Sequence, residues 1–259
     1  MPNPAGPRSL TIVLPAYNEA RRIGPALDEL FAYLDAPTPE VMHPRIEVLV
    51  VDDGSTDGTA DLVRGRPESA RADDGDQARL AVMPVPHAGK GAAVRAGMLA
   101  ATSDLVVFAD ADMATPPSEL PKLVAALASA DVALGSRIQP DGSDMRETQP
   151  GYRRFLGAMF HLLASIWVVG DVKDTQCGFK GFTREAAQDL FARQQVTSIV
   201  FDVELIHLAR RRGYAIKVVP IRWEDVRGSR MRPGPLLALK VAWDLFRIPL
   251  LHRTVRRRS

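Results

Sequence analysis

Asp110 and Asp112 stand one residue apart within the segment Leu105–Pro117, LVVFADADMATPP. The apolar residues Leu105 to Phe108 lead into them and read as a buried strand of a parallel sheet. Two carboxylates at the carboxyl end of such a strand suit one chemistry above others, which is holding a hard cation against a diphosphate. Mg²⁺ takes one or two carboxylates, phosphate oxygens and waters rather than a closed cage of protein ligands. Asp-x-Asp is common by chance, and most copies are solvated loop acids. The pair gains meaning only from what accompanies it.

Three further polar clusters follow apolar runs in the same way. They are Pro15-Ala16-Tyr17-Asn18-Glu19, Asp52-Asp53-Gly54-Ser55-Thr56-Asp57-Gly58-Thr59 and His87-Ala88-Gly89-Lys90-Gly91. In open α/β sheets ligands bind beyond the carboxyl ends of the strands, near the point where strand order reverses. Asp52 or Asp53 could accept hydrogen bonds from a nucleotide base or ribose. Gly54 and Gly58 permit tight turns. Asp57 reads as a helix cap. Lys90, between two glycines and just ahead of a helix, suits a phosphate.

The elements that must position these clusters alternate. Strands are expected at Leu10–Leu14, Ile46–Val51, Leu80–Met83, Val106–Phe108 and Val132–Leu134. Helices are expected at Ile23–Leu34, Asp57–Val63, Gly91–Ala101 and Glu119–Leu127. This pattern predicts a mostly parallel sheet with helices on both faces, joined by right-handed crossovers. Ala36–Arg45 and Arg64–Arg79 read as surface insertions, and Gln139–Gly151 as a loop or lid. Later come a long apolar segment, Arg153–Val169, helices at Ala186–Phe191 and Val203–Arg211, and a strand at Ile216–Val219. A final helix at Leu236–Leu250 is followed by a basic tail. We expect one domain over residues 1–235 and a C-terminal amphipathic helix with its tail over 236–259.

Composition sets bounds. The chain has 259 residues, 46% of them hydrophobic and 25% charged, as in ordinary globular proteins. A net charge of +2 argues against a nucleic-acid partner. The one cysteine, Cys177, excludes an intrachain disulfide, which fits a cytoplasmic protein. The opening MPNPAGPRS lacks the charged and apolar regions of a signal peptide.

Taken together, Pro15–Glu19, the Asp52-Asp53-Gly54-Ser55 run and Asp110-Ala111-Asp112 resemble glycosyltransferase family 2. Asp174-Thr175-Gln176-Cys177-Gly178-Phe179-Lys180 and Phe201-Asp202-Val203-Glu204-Leu205 resemble its dolichyl-phosphate glucosyltransferase branch, which is related to the dolichol-phosphate mannose synthases. The resemblance runs from about Leu10 to about Leu251. It implies a GT-A, Rossmann-like nucleotide-sugar fold. It also implies inverting transfer of a hexose, glucose from UDP-glucose being favoured, to a polyprenyl or dolichyl monophosphate with Mg²⁺ or Mn²⁺. Pro15, Tyr17, Glu19, Asp52, Asp53, Gly54, Lys90, Asp110, Gln176 and Lys180 would then bind the donor, and Asp110 and Asp112 the metal. Two departures stand out: the branch's eukaryotic N-terminal membrane helix is not seen here, and Ala114 occupies a position where relatives can add a polar metal ligand. The metal then depends on Asp112, the diphosphate and water, with Asp110 nearer the ribose.

A phosphate acceptor is anionic at neutral pH and needs no strong base. It needs cations, and Arg137, Arg153 and Arg154 are the candidates, arginine's fork matching phosphate bidentately. Asp202 would be the base if the acceptor were a sugar hydroxyl. With a phosphate acceptor it either joins the catalytic set beside Asp112, Arg137 and Arg153 or only orders the site. Gln176 and Lys180 are expected in a glycine-containing turn, and Asp202 and Glu204 after a strand-like stretch at Ser198–Phe201. A lipid acceptor calls for peripheral contact at the cytoplasmic face of a membrane. Lys240, Asp244 and Arg247 are expected to form a polar stripe on an otherwise apolar interfacial helix. A homodimer is compatible with the same apolar faces. The alternatives are a soluble or polysaccharide acceptor, GDP-mannose as donor, a nucleotidyltransferase, and a non-catalytic nucleotide-sugar-binding protein.

Overall fold

A computed structural model describes residues 9–36, 45–72, 78–145, 172, 174–224 and 235–258. Arg153, Arg154, the segment Arg153–Val169 and the end of the Gln139–Gly151 stretch lie outside the described residues.

The first half alternates as expected. Strands β1 (Leu10–Ala16), β2 (Ile46–Asp52), β3 (Arg79–Pro84), β4 (Leu105–Phe108) and β5 (Val132–Ser136) are separated by helices. These are α1 (Ile23–Leu34), α2 (Thr59–Arg64), α3 (Lys90–Ala100) and α4 (Leu120–Ala126). After them come β6 (Lys180–Thr183), α5 (Arg184–Arg193), α6 (Phe201–Arg212), β7 (Ile216–Pro220) and α7 (Pro235–Leu251). The strands form one sheet in the order β3-β2-β1-β4-β6-β5-β7. β1 pairs in parallel with β2 and β4, β2 with β3, and β5 with β7, while β6 runs antiparallel between β4 and β5.

Strand side chains alternate between two cores. Leu10, Ile12 and Leu14 pack with α1 and α4, while Val13, Leu49 and Val51 pack with α3 on the other face. The sheet is therefore buried on both sides, which explains the near-continuous apolar strand sequences. Gly97 lets α3 approach, since a Cβ there would lie 2.5 Å from Val13 Cγ1 and 2.7 Å from Val51 Cγ2.

Three expectations are corrected. Lys180 opens strand β6 rather than lying in a turn; Lys-Gly-Phe-Thr is too short and too polar at its start to read as a strand. Residues 198–200 form a turn into α6, so Asp202 and Glu204 sit in that helix's first turn, where acids suit the dipole. α2 begins at Thr59, after Gly58 at φ 86°, instead of at Asp57. The Arg64–Arg79 insertion is also tied down where described: Arg66 pairs with Asp28 and Glu68, and Arg71 with Asp35.

Candidate active site

The carboxyl ends of β1, β2, β3 and β4 carry the polar clusters, and the loops are stitched to one another. Asn18 adopts φ 53°, a left-handed conformation that Asn tolerates. Its N–H donates to Ser55 Oγ at 2.8 Å, and its Oδ1 accepts from Thr56 N at 2.8 Å. Asp57 accepts from Ala20 N and Thr59 N, joining the same two loops. Gly54, at φ 72°, leaves room for His87, whose N would lie 3.0 Å from an added Cβ. Pro15, next to last in β1, lies opposite Val51.

The two β2 aspartates separate in role. Asp53 accepts from Ala88 N at 2.9 Å and Gly89 N at 3.0 Å, and its Oδ2 lies 2.9 Å from His87 Nδ1. Both its oxygens hold the loop after β3, so Asp53 positions that loop. Asp52 is 4% exposed, and its Oδ1 has no hydrogen-bond partner. Buried polar atoms are rarely left so, and a ligand N–H would satisfy it. Tyr17, 41% exposed, stacks on His87 with ring centroids 4.1 Å apart, an aromatic platform at the mouth of the same loops.

Lys90 begins α3, but that helix end is not an open phosphate cradle. Gly91 N donates to Thr197 O, and Ala92 N and Ala93 N donate to Gly89 O. What Lys90 offers is its ammonium, 2.5 Å from Asp110 Oδ1. Burial opposes that charge, and Asp110 and Asp202 outweigh it, so the Lys90 pKa is raised. Asp112 is raised too, by burial and then by the charge of Asp110. Asp110 and Asp112, two carboxylates on one loop, form an open donor set. No cluster of three or more His, Cys, Asp or Glu ligands occurs among the described residues. Such a set fits a divalent cation that draws its remaining ligands from a diphosphate and water. Met113, between Asp112 and Ala114, sits at φ 50°, unusual for a bulky residue and common where a site imposes strain.

A second charged set lies behind the first. Lys180 is fully buried at the head of β6, with Nζ 2.6 Å from Asp202 Oδ1 and hydrogen-bonded to Cys177 O. It stands as an internal cation, paired with Asp202 beneath the surface. Burial raises the Asp202 carboxyl, and Lys180 and Lys90 offset this only in part. Gln176 Nε2 donates to Ile199 O at 3.3 Å. Burial pushes the Cys177 thiol up to about 12, so it is no nucleophile. Arg137, just after β5, donates from Nε and Nη2 to Asp174 at 2.9 and 2.7 Å, and from its backbone N at 2.8 Å. Burial works against its charge, and Asp174 overrides this. Its Nη1 takes no part in that pair.

Three residues here went unassigned in the sequence. Arg22 grips Glu19 in a two-pronged pair (2.6 and 2.7 Å) and places Nη1 3.9 Å from Asp112 Oδ2. It also lines a cavity of about 490 Å³ beside Asp112, with Arg21, Ala26, Ala114, Pro116 and Glu224. The i, i+3 spacing from Glu19 is the signal for it. Asp174 orients Arg137, and no pattern in the sequence pairs the two. Gly178 lies against Asp110, where an added Cβ would overlap the carboxylate. Gly178→Ala should therefore displace Asp110 and cut turnover by about tenfold or more, since small misplacements in a site are costly. A circular-dichroism spectrum unchanged from wild type alongside full activity would refute that placement.

The chain matches the family model described as "Glycosyl transferase family 2" over residues 11–191. It is 40% identical over 249 residues to a dolichyl-phosphate beta-glucosyltransferase of Trichomonas vaginalis, covering 94% of this chain and 71% of that one. Identity to the dolichyl-phosphate beta-glucosyltransferase of Drosophila melanogaster is 36%, over 92% of this chain and 74% of that one. For Saccharomyces cerevisiae the figures are 34%, 91% and 72%. Among solved structures, glucosyl-3-phosphoglycerate synthase from Mycobacterium tuberculosis, in complex with Mn²⁺, UDP-glucose and phosphoglyceric acid, superposes with a TM-score of 0.62. It is 22% identical, and the match covers 94% of this chain and 79% of that one. Mannosyl-3-phosphoglycerate synthase from Rubrobacter xylanophilus gives a TM-score of 0.61 at 18% identity, over 94% and 73% of the two chains. These structural likenesses are of fold, the GT-A arrangement expected from the sequence.

Proposed function

The chain belongs to glycosyl transferase family 2, and from that premise we propose that it transfers glucose, with inversion, from UDP-glucose to a polyprenyl or dolichyl monophosphate. The observation that carries this reading is the placement of Asp110, Asp112 and Lys90 together at the carboxyl edge of the sheet. The dolichyl-phosphate beta-glucosyltransferases to which the chain is 34–40% identical supply the substrate class.

In this reading Asp52 and the Tyr17–His87 stack receive the nucleotide base. Asp110 and Asp112 would hold the cation, which when bound would supply Lewis-acid neutralisation of the diphosphate. Lys90 exchanges its bond to Asp110 for a phosphate oxygen of the donor. An anionic oxygen of the acceptor phosphate attacks the anomeric carbon from the face opposite the diphosphate. The new C–O bond forms as the bond to UDP breaks, and UDP departs with the electron pair, Lys90 facing the charge it gains. Arg137, kept in place by Asp174, presents Nη1 to the acceptor phosphate. Arg153 and Arg154 would add to it. Asp202 is 4% exposed and bound to Lys180. A carboxylate so engaged is poorly placed as a general base, and this supports a phosphate acceptor over a sugar hydroxyl. A carrier of this kind places the protein peripherally at the cytoplasmic face of a membrane. No helix among the described residues is long and apolar enough to cross one.

The test is a transfer assay with radiolabelled UDP-glucose, with GDP-mannose in parallel, against a short polyprenyl phosphate. Label should enter the organic phase with UDP-glucose, stop on adding EDTA, and resume with excess Mg²⁺ or Mn²⁺. Transfer from GDP-mannose alone would overturn the donor. Hydrolysis of donor without lipid labelling would overturn the acceptor. Full activity in EDTA would overturn the metal.

A further inference from the structure

We infer that α7 is a docking surface for an anionic lipid bilayer, and that the docking face is its apolar row Leu239, Trp243, Phe246 and Leu250. Of the seven large hydrophobic residues that stand exposed among the described residues, four are on this helix, at 69%, 61%, 50% and 54% exposure. At 3.6 residues per turn they fall within an arc of about 60°. Trp243 and Phe246 stack with centroids 6.1 Å apart, and amphipathic aromatic rings favour the headgroup level of a bilayer.

The opposite side of the helix faces the protein, and of the expected polar stripe Asp244 turns towards it while Lys240 stays exposed. Asp244 is 3% exposed, accepts from Ser198 Oγ at 2.6 Å and pairs with Arg247. Leu245 and Ile248 are buried beside it, and His252 Nε2 lies 2.6 Å from the buried Glu204 Oε1. Asp244 is thus an anchor, and the row that stands exposed is apolar.

Cations flank that face. Lys240, Arg253 and Arg256 are exposed at its edge and just beyond its end. A row of apolar and aromatic side chains bordered by cations complements an anionic headgroup surface. The anchors also tie the helix to the site. Ser198 and Glu204 bracket Asp202 in sequence, so α7 is fixed to the turn that carries it. Deleting the tail would not isolate this effect. Arg211 donates to the carbonyls of Arg253 and Val255, and Arg258 pairs with Asp131 and Glu185.

The inference rests on the lipid-acceptor reading for its purpose, and its test is read without donor or acceptor, so the two can fail separately. Wild-type chain and L239E/W243E are mixed with phosphatidylcholine vesicles with and without about 30% phosphatidylglycerol, and sedimented. Wild type should pellet with the anionic vesicles, and the double variant should bind at least about tenfold more weakly. The variant should keep the wild-type melting temperature and turn over a short water-soluble prenyl phosphate at the wild-type rate. No vesicle binding by wild type, equal binding to neutral vesicles, or equal binding by the variant would overturn the inference. So would a marked loss of melting temperature in the variant, since the row would then be covered by the protein's own chain. A dimer in sedimentation velocity that the variant dissolves would assign the face to a second copy, and would overturn it too.

Discussion

Asp112→Asn should lower glucosyl transfer by about 10³-fold or more while leaving the thermal transition in place. Asp112 is one of the two carboxylates proposed to hold a cation, and Asp110 is already bonded to Lys90. Removing one preorganised electrostatic contact to developing charge costs about 10²–10³ in turnover. Under the proposed metal role the change would also weaken binding of the cation that would neutralise the leaving diphosphate. The side chain's own structural bonds are few: Oδ1 accepts from Ala114 N at 3.3 Å, and Arg22 lies 3.9 Å from Oδ2. Asn keeps that volume and relieves the repulsion with Asp110, so the fold should hold or gain slightly. Turnover within tenfold of wild type would move the metal site elsewhere.

Lys180→Met is expected to be the most destabilising single change considered. Its ammonium and the Asp202 carboxylate are 0% and 6% exposed, 2.6 Å apart. Breaking one side of a buried pair leaves the other charge uncompensated, at about 3–5 kcal/mol. Replacing both partners by apolar residues is often neutral. Lys180→Met with Asp202→Leu should therefore recover most of the lost stability in a denaturant titration. It should not recover transfer, because Asp202 also sets the field at Lys90. Additive losses in the double variant would mean that the two side chains are not coupled.

Most of the scaffold could be read from periodicity. Helix α1 starts and ends where its apolar spacing does, and β1, β2 and β4 declare themselves by unbroken apolar runs. The misreadings share a cause, in that tertiary context overrides local pattern. β6 is four residues long and is a strand because β4 and β5 offer it partners. Asp244 carries a charge that usually marks a solvent face, and it is buried because Ser198 and Arg247 meet it. The Asp110–Asp112 pair was legible because both residues lie on one loop, directly after the apolar run of β4. The pairs Arg137–Asp174 and Lys180–Asp202 join residues 37 and 22 positions apart, a distance at which spacing carries no signal.

The reversed strand also bears on how the chain comes together in time. β4 and β5 are successive in sequence, yet they never touch until residues 180–183 slip between them, and β5 then needs residues 216–220 on its other side. While the chain is being synthesised, β1 to β4 can pair as they emerge. β4 meanwhile holds out a bare apolar edge until Lys180 has arrived. That long-range closure is expected to form more slowly than the pairing of β1 to β4, and a chain cut short before it would leave a half-sheet with an open edge.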